Sequence, residues 1–327
     1  MLVKDRVLEA LECNRGQFFS GEALAQQIAV SRSAVWKAIS QLREEGYPIE
    51  AVPHRGYCLG QDSAILSAQS VARYLTIPNL DLEVRPVVTS TNSLLRQEAE
   101  AGAKEGRVMV AAQQTAGRGR RDRVFFSPPD SGLYLSLLLR PKLEARQALS
   151  LTTCAAAAVA LAVEECAGIP AQIKWVNDVF CGGKKVCGIL TEAALDLETG
   201  GLQYAIVGIG VNLFPPEGGF PPELDEAGAV FSARPQGLEG RSQLAGSILN
   251  HFFTFYPNLS ETPFFEDYRK RSLVLGQEIT VLEGTTTRTA VALDLEPDFS
   301  LKVREADGSI RTLSSGEVRV RPVRQPG

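Results

Sequence analysis

Three short stretches of this 327-residue sequence combine cations, amides, carboxylates and glycines in ways suited to an anionic substrate. The densest lies within residues 113–123, where Gly117, Arg118, Gly119, Arg120, Arg121, Asp122 and Arg123 put four arginines and two glycines into seven residues. Glycines permit a tight loop whose backbone N–H groups turn inward as an anion nest, and arginines add planar donors for phosphate or carboxylate oxygens. A solvated basic loop would have the same composition. The second stretch is Lys174-Trp175-Val176-Asn177-Asp178, a set able to hold a carboxylate, a phosphate or a magnesium ion. A surface ion pair beside a core tryptophan would also fit it. Strand alternation after this stretch groups Lys185 with Cys187 and Ile189 on one face, where an anionic ligand would offset the cost of a lysine among apolar neighbours. Lys184 should then point the other way, into solvent. The third stretch, Val207-Gly208-Ile209-Gly210-Val211-Asn212-Leu213, sets two glycines inside an apolar strand, for close approach either to a ligand or to packed neighbours.

The elements that must position these stretches read from the pattern. Residues 133–139 form a buried strand, 149–166 a long core helix, 173–187 a strand hairpin turning at Gly182-Gly183, and 204–213 another strand. Helices are expected over 67–75 and 241–256, and 215–223, with four prolines and two glycines, is a loop. From Gly276 onward short Val-, Thr-, Ile- and Leu-rich runs predict about five strands.

Residues 1–60 read as a separate unit. Val7, Leu8 and Leu11 give one helix an apolar face, and a second begins near Ser20. Ser31 caps a third helix that buries Ala34, Val35, Ala38, Ile39 and Leu42 and ends at Gly46. A hairpin follows, with Pro53-His54-Arg55-Gly56 at its tip. Three helices and a hairpin make a winged helix-turn-helix, whose DNA-facing set is Ser31, Arg32, Ser33, Trp36, Lys37, Ser40 and the wing residue Arg55. Residues 1–62 hold seven Lys/Arg against eight Asp/Glu, so the charge of the unit leaves open a three-helix structural or docking role.

Composition narrows the classes. At 44% hydrophobic and 22% charged the chain is globular, and a net charge of −4 requires any nucleic-acid contact to come from a local patch. Two histidines, His54 and His251, nearly exclude a multi-histidine metal site. The six cysteines contain no Cys-x-x-Cys pair and read as reduced thiols of a cytoplasmic protein. Lys4, Asp5, Arg6, Glu9 and Glu12 interrupt any N-terminal apolar stretch, and the apolar run 148–163 carries Ser150, Thr152 and Thr153, so neither a secretory segment nor a membrane partner is expected.

In order and spacing, Ser90-Thr91-Asn92, the 117–121 loop, the 174–178 stretch, Lys185 with Gly188-Ile189-Leu190, and the 208–212 stretch resemble the biotin protein ligase family, in detail its bifunctional members, the biotin operon repressors. The resemblance covers nearly the whole chain. It implies a multidomain α+β protein: a winged helix-turn-helix over 1–62, a central α/β ligase domain with a mixed, class II aminoacyl-tRNA synthetase-like sheet over 65–275, and an SH3-like β-barrel over 276–327. It further implies that ATP and Mg²⁺ activate biotin to biotinyl-5′-adenylate, that biotin passes to a lysine of the biotin carboxyl carrier protein of acetyl-CoA carboxylase, and that the adenylate-bound homodimer represses through operator DNA.

By position, Ser90, Thr91, Asn92, Gln114, Arg118, Gly119, Arg120 and Lys185 would hold biotin, with Lys185, Arg118 and Arg120 catalytic. Gly117, Arg121, Lys174, Asn177, Asp178, Gly210, Asn212 and Arg321 would contact ATP or the adenylate. Mg²⁺ would come with ATP, near Asp178, where Asn177 or Asp178 would otherwise orient Lys185. A ligand-sensing regulator without ligase activity, and a ligase whose winged helix no longer binds DNA, are the competing readings. Three residues depart from the family pattern: Val176 stands where proline is usual, Asp122 where glycine is usual and Phe125 where tryptophan is common. Aspartate tolerates left-handed backbone, so the loop should keep its path, while the Asp122 charge is expected to pair with a neighbouring arginine.

Overall fold

The computed structural model describes residues 2–78, 80–144, 147–196, 198, 200–233, 240–283, 286–314 and 316–320. Two compact units emerge, one of residues 1–76 with 233–246, the other of 77–232 with 247–327.

The first unit contains α1 (Val3–Glu12), α2 (Gly21–Gln27), α3 (Arg32–Glu44), the hairpin β1 (Ile49–Val52) and β2 (Gly56–Leu59), and α4 (Ala68–Ala72). Ser20 and Ser31 accept from the backbone N–H groups of Ala23 and Ala34 and so start α2 and α3. The helices pack Leu8, Leu11, Leu24, Val35, Ile39 and Leu42 into one core, joined by Ile49 and Leu59 from the hairpin. Glu12 is fully buried there and is neutralised by Arg15 at 2.6 Å.

The second unit is built on a seven-stranded sheet. Its elements are β3 (Asp81–Val88), α5 (Thr91–Glu100), β4 (Arg107–Gln114), β5 (Gly132–Leu139), α6 (Ala148–Ala167), β6 (Gln172–Lys174), β7 (Asp178–Cys181), β8 (Lys184–Leu195) and β9 (Leu202–Asn212); α7 (Gly240–Phe255), which joins from residue 247, and α8 (Phe265–Lys270) follow. Strand order is β3-β4-β5-β9-β8-β7-β6. Only β3 and β4 run parallel, so the sheet is mixed. α5 packs on β4, β5 and β9, and α6 on β8 and β9. By length and composition α6 could cross a membrane, but most of it is buried inside the protein, Cys154 and Val159 completely. The segment expected to be one hairpin over 173–187 is three strands, because residues 175–177 already reverse the chain. Gly182 and Gly183, at φ 55° and 76°, then make the two-residue turn into β8.

A five-stranded antiparallel sheet completes the unit: β10 (Glu278–Glu283), β11 (Thr286–Leu295), β12 (Leu301–Glu305), β13 (Ile310–Leu313) and β14 (Glu317–Val320), in the order β13-β12-β11-β10-β14. Its anchor on the seven-stranded sheet is Trp175. The ring is buried and Nε1 donates to the Phe299 carbonyl at 2.8 Å, while the Phe299 ring stacks on Phe264. Of the two readings of this tryptophan, the core role is the one the fold uses.

Candidate functional site

Nearly all of the expected ligand residues border one cleft of about 530 Å³ in the second unit. Ser90, Thr91 and Asn92 stand at the start of α5, where Ser90 Oγ accepts from Ser93 N. Gln114 Oε1, at the end of β4, accepts from Thr91 N at 2.9 Å. Gln114 Nε2 donates to Ser127 Oγ, which donates in turn to the Phe125 carbonyl. Ser136, fully buried in β5, donates to Asn92 Oδ1 at 2.6 Å and lies 2.7 Å from Thr91 Oγ1. One end of the cleft is therefore a closed polar network in which each side chain fixes the next.

The glycines of β8 and β9 make the floor. A Cβ on Gly208 would overlap Asn92 Oδ1, and one on Gly210 would sit 2.6 Å from Phe125 Cε1. At both glycines β9 thus approaches side chains that line the cleft. Asn212 Nδ2 ties β9 to the Gly228 carbonyl.

Lys185 lies at the opposite end, and its face differs from the one alternation predicts. Cys187 pairs with Val179 and Lys185 with Phe180, leaving Val186 as an extra residue. This bulge moves Lys185 onto the face of Gly188, away from Cys187 and Ile189. Lys185 Nζ accordingly sits 3.5 Å from where a Gly188 Cβ would stand and 2.7 Å from Asp178 Oδ1. Asn177 Nδ2 donates to the same Asp178 oxygen, and Arg120 Nη1 donates to Asn177 Oδ1 at 2.8 Å. Burial lowers the Arg120 pKa, with the charge of Asp178 opposing it; a guanidinium stays charged at neutral pH regardless. Lys174, 9% exposed, pairs with Glu226 at 3.0 Å and lies over the Phe180 ring, so its charge is already matched. Lys184 stays exposed and donates to the Asp225 carbonyl. Burial pushes the Cys187 thiol up, as expected for an inert core residue.

The arginine loop is a narrow excursion closed by Phe125 N to Gly117 O at 3.0 Å and Gly119 N to Arg123 O at 2.7 Å. Gly117 has no room for a Cβ, which would meet Ser127 Oγ at 2.6 Å. At the tip Arg121 and Asp122 take left-handed backbone, φ 55° and 58°, so aspartate keeps the path. Asp122 makes no ion pair among the described residues, contrary to expectation; Arg121 and Arg123 pair instead with Glu317 of β14, at 3.3 and 2.9 Å. Arg120 also reaches the Gly316 carbonyl.

Burial raises the Glu317 pKa, but the hydrogen bond from Arg123 and the charges of Arg123, Arg319 and Arg121 outweigh it and hold the carboxyl below its ordinary value of 4.5. A depressed carboxyl contributes its attachment fully above the ordinary value and loses it as pH falls through the lowered one. The loop is therefore expected to loosen only in acid below about pH 4.5, seen as faster intrinsic-rate-corrected amide exchange over 118–123 at pH 3 than at pH 6. Equal protection at the two pH values would contradict this attachment.

Among the described residues no three His, Cys, Asp or Glu side chains come together as a metal site. Arg321 lies outside the described residues. In the first unit, Arg32, Ser33, Trp36 and Lys37 are exposed on α3, Trp36 to 61%. The Ser31 hydroxyl caps the helix and contacts Ser33 Oγ, while Ser40 Oγ donates to the Trp36 carbonyl. Arg55 stacks over the Phe18 ring at 4.0 Å.

Sequence reasoning passed over Ser136, Glu192, Glu226 and Glu317. Ser136 was signalled as the lone serine in the apolar run 133–139. Glu192 shares the parity of Gly188 and Leu190, a hint usable only once the bulge is known.

Residues 84–212 match the biotin/lipoate A/B protein ligase family and residues 4–58 an HTH domain. The bifunctional ligase/repressor BirA of Bacillus subtilis strain 168 is 33% identical over 314 residues, 93% of this chain and 94% of that protein. The bifunctional ligase/repressor BirA of Escherichia coli K12 is 33% identical over 317 residues, 94% of each chain. Among solved structures, the biotin protein ligase from Aquifex aeolicus in complex with biotin and ATP is similar with a TM-score of 0.59 and 29% identity, over 74% of this chain and 98% of that one.

Proposed function

The chain belongs to the family of bifunctional biotin ligase–repressors, and on that footing we propose that it joins biotin to ATP, passes biotin to a protein lysine and represses transcription. The observation that carries the ligase reading is the pair of cations at one end of the cleft, Lys185 on Asp178 and Arg120 on Asn177, opposite the polar network of Thr91, Asn92 and Gln114.

In the first step a biotin carboxylate oxygen attacks the α-phosphorus of ATP. A C–O–P linkage forms, the α–β phosphoanhydride breaks, and pyrophosphate leaves. Both reactants are anions. Lys185 stands between them, lowers their repulsion and stabilises the charge that spreads in the transition state. Asp178 fixes where the ammonium sits. Arg120 and the backbone donors of the loop, with Gly117, Gly119 and Arg121, hold the phosphates in line. Ser90, Thr91, Asn92 and Gln114 grip the neutral biotin ring. Gly210 and Asn212 border the nucleotide, and Arg321 is assigned beside it. Asp178 would be the carboxylate to hold a Mg²⁺ carried by the triphosphate, which would offset pyrophosphate charge. In the second step an acceptor lysine amine attacks the acyl carbon, AMP leaves, and the amine gives up its proton. Closure of the loop excludes water from the mixed anhydride in between.

The functional divisions follow as 1–62, 65–275 and 276–327, the last curled as an SH3-like barrel and the central sheet of class II synthetase type. Six free thiols favour the cytoplasm. The acceptor is the biotin carboxyl carrier protein of acetyl-CoA carboxylase. Incubation with biotin, Mg-ATP and that acceptor domain is expected to add one biotin to the acceptor by intact mass; an unmodified acceptor, with no pyrophosphate released, would refute the ligase reading.

For repression, two copies joined by bound adenylate would set two α3 helices and two wings on paired half-sites. Adenylate is expected to tighten operator binding at least tenfold in a mobility-shift titration. Equal affinity of the free and adenylate-bound protein would rule out adenylate-dependent repression.

A further inference from the structure

The four arginines of the loop are held at three separate places. Arg120 reaches Asn177, beside Lys185 and Asp178. Arg121 and Arg123 reach Glu317. Arg118 goes elsewhere: its Nη1 donates to Glu192 Oε1 at 2.8 Å, while Glu192 Oε2 accepts from Asn92 Nδ2 at 2.9 Å. Asn92 belongs to the polar network at the far end of the cleft, where its Nδ2 also reaches the Leu190 carbonyl.

We propose that Glu192 is a positioning residue that pins the base of the loop to the biotin-ring end of the site through Arg118, so that Arg118 acts as an anchor and Arg120 as the phosphate-facing cation. This rests on the ligase reading and deepens it. The biotin ring is neutral, so a guanidinium at that end has no ligand charge to meet. A carboxylate on a rigid strand matches it instead. One Glu192 carboxylate thereby joins the side chain that packs against the ring pocket to the segment that must close over it. Charged pairs at partly exposed sites contribute modestly to stability, so the consequence lies in the residence of the ligand beneath the loop, with little effect on the fold.

The first test needs no ligase activity. In the ligand-free full chain, trypsin cleavage within 118–123 is expected to be several-fold faster in Glu192→Gln than in the parent, with Glu192→Asp between them. The second test is a chase of bound biotinyl-adenylate. Glu192→Gln is expected to raise the dissociation rate about tenfold. In an Arg118→Gln background the same change should add nothing, which a general structural defect would not reproduce. Unchanged cleavage and dissociation, or an equal increment in both backgrounds, would overturn the proposal. Should Glu192→Gln fail to fold, Glu192→Asp carries the same comparisons. Failure of the parent protein to release pyrophosphate from biotin and ATP would instead count against the ligase reading, and the cleavage result would still judge the anchor.

Discussion

Lys185→Ala is expected to lower biotin-dependent exchange of pyrophosphate into ATP by about 10²–10³-fold, the range found when one preorganised donor is removed from a developing charge. The cause is electrostatic. Two anions must meet, and the ammonium beside their meeting point is preset before either arrives. Its Nζ is 2.7 Å from Asp178 Oδ1, and one-third of the side chain remains exposed to the cleft. The bulge at Val186 is what aims it there. Asp178→Asn keeps the ammonium but frees it to wander, and is expected to cost about tenfold, a fraction of the full loss. The two changes together should cost less than the product of the separate losses, because Asp178 acts in part by holding Lys185. Exchange in Lys185→Ala within tenfold of the parent would remove the basis for this mechanism.

Gly208→Ala is expected to raise the KM for biotin by about a hundredfold or more, with a much smaller change in the KM for ATP. An added Cβ would overlap Asn92 Oδ1, and Asn92 cannot step aside. It is 4% exposed, accepts from Ser136, and donates to Leu190 and Glu192. Either the network breaks at the ring end or β9 moves; over-packing of this kind costs about 1–3 kcal/mol in stability. The neighbouring Gly210→Ala meets the Phe125 ring at 2.6 Å, a single aromatic at the loop base, and its effect should fall on the nucleotide and loop. A binding isotherm for biotin with and without ATP separates the two. Equal affinities of Gly208→Ala and the parent would show that the Asn92 network does not form the ring pocket.

Much of the candidate site was readable because it depends on residue type and order. The glycine–arginine loop, Lys185, Gln114 and the 90–92 stretch all carry their chemistry in short segments, and the structure brings them to one cleft. The helix-turn-helix was equally readable, since capping serines and apolar spacing at 3.6 residues are local. Pairing partners of the loop were not. Glu192 lies 74 residues from Arg118 and Glu317 194 residues from Arg123, and no local pattern reports a contact at such separation. The pairing of Asp122 with an arginine was the local guess, and a distant carboxylate won because it approaches the fork of Arg123 from a rigid strand.

By itself the sequence determined many of the elements, the combination of helices and strands and the list of charged groups available for chemistry, because periodicity, caps and turn residues act over a few positions. Only the tertiary structure decided which way Lys185 faces and which carboxylate holds each arginine. A single extra residue in a strand reverses every side chain beyond it, and that residue is defined by the partner strand, not by the chain that contains it.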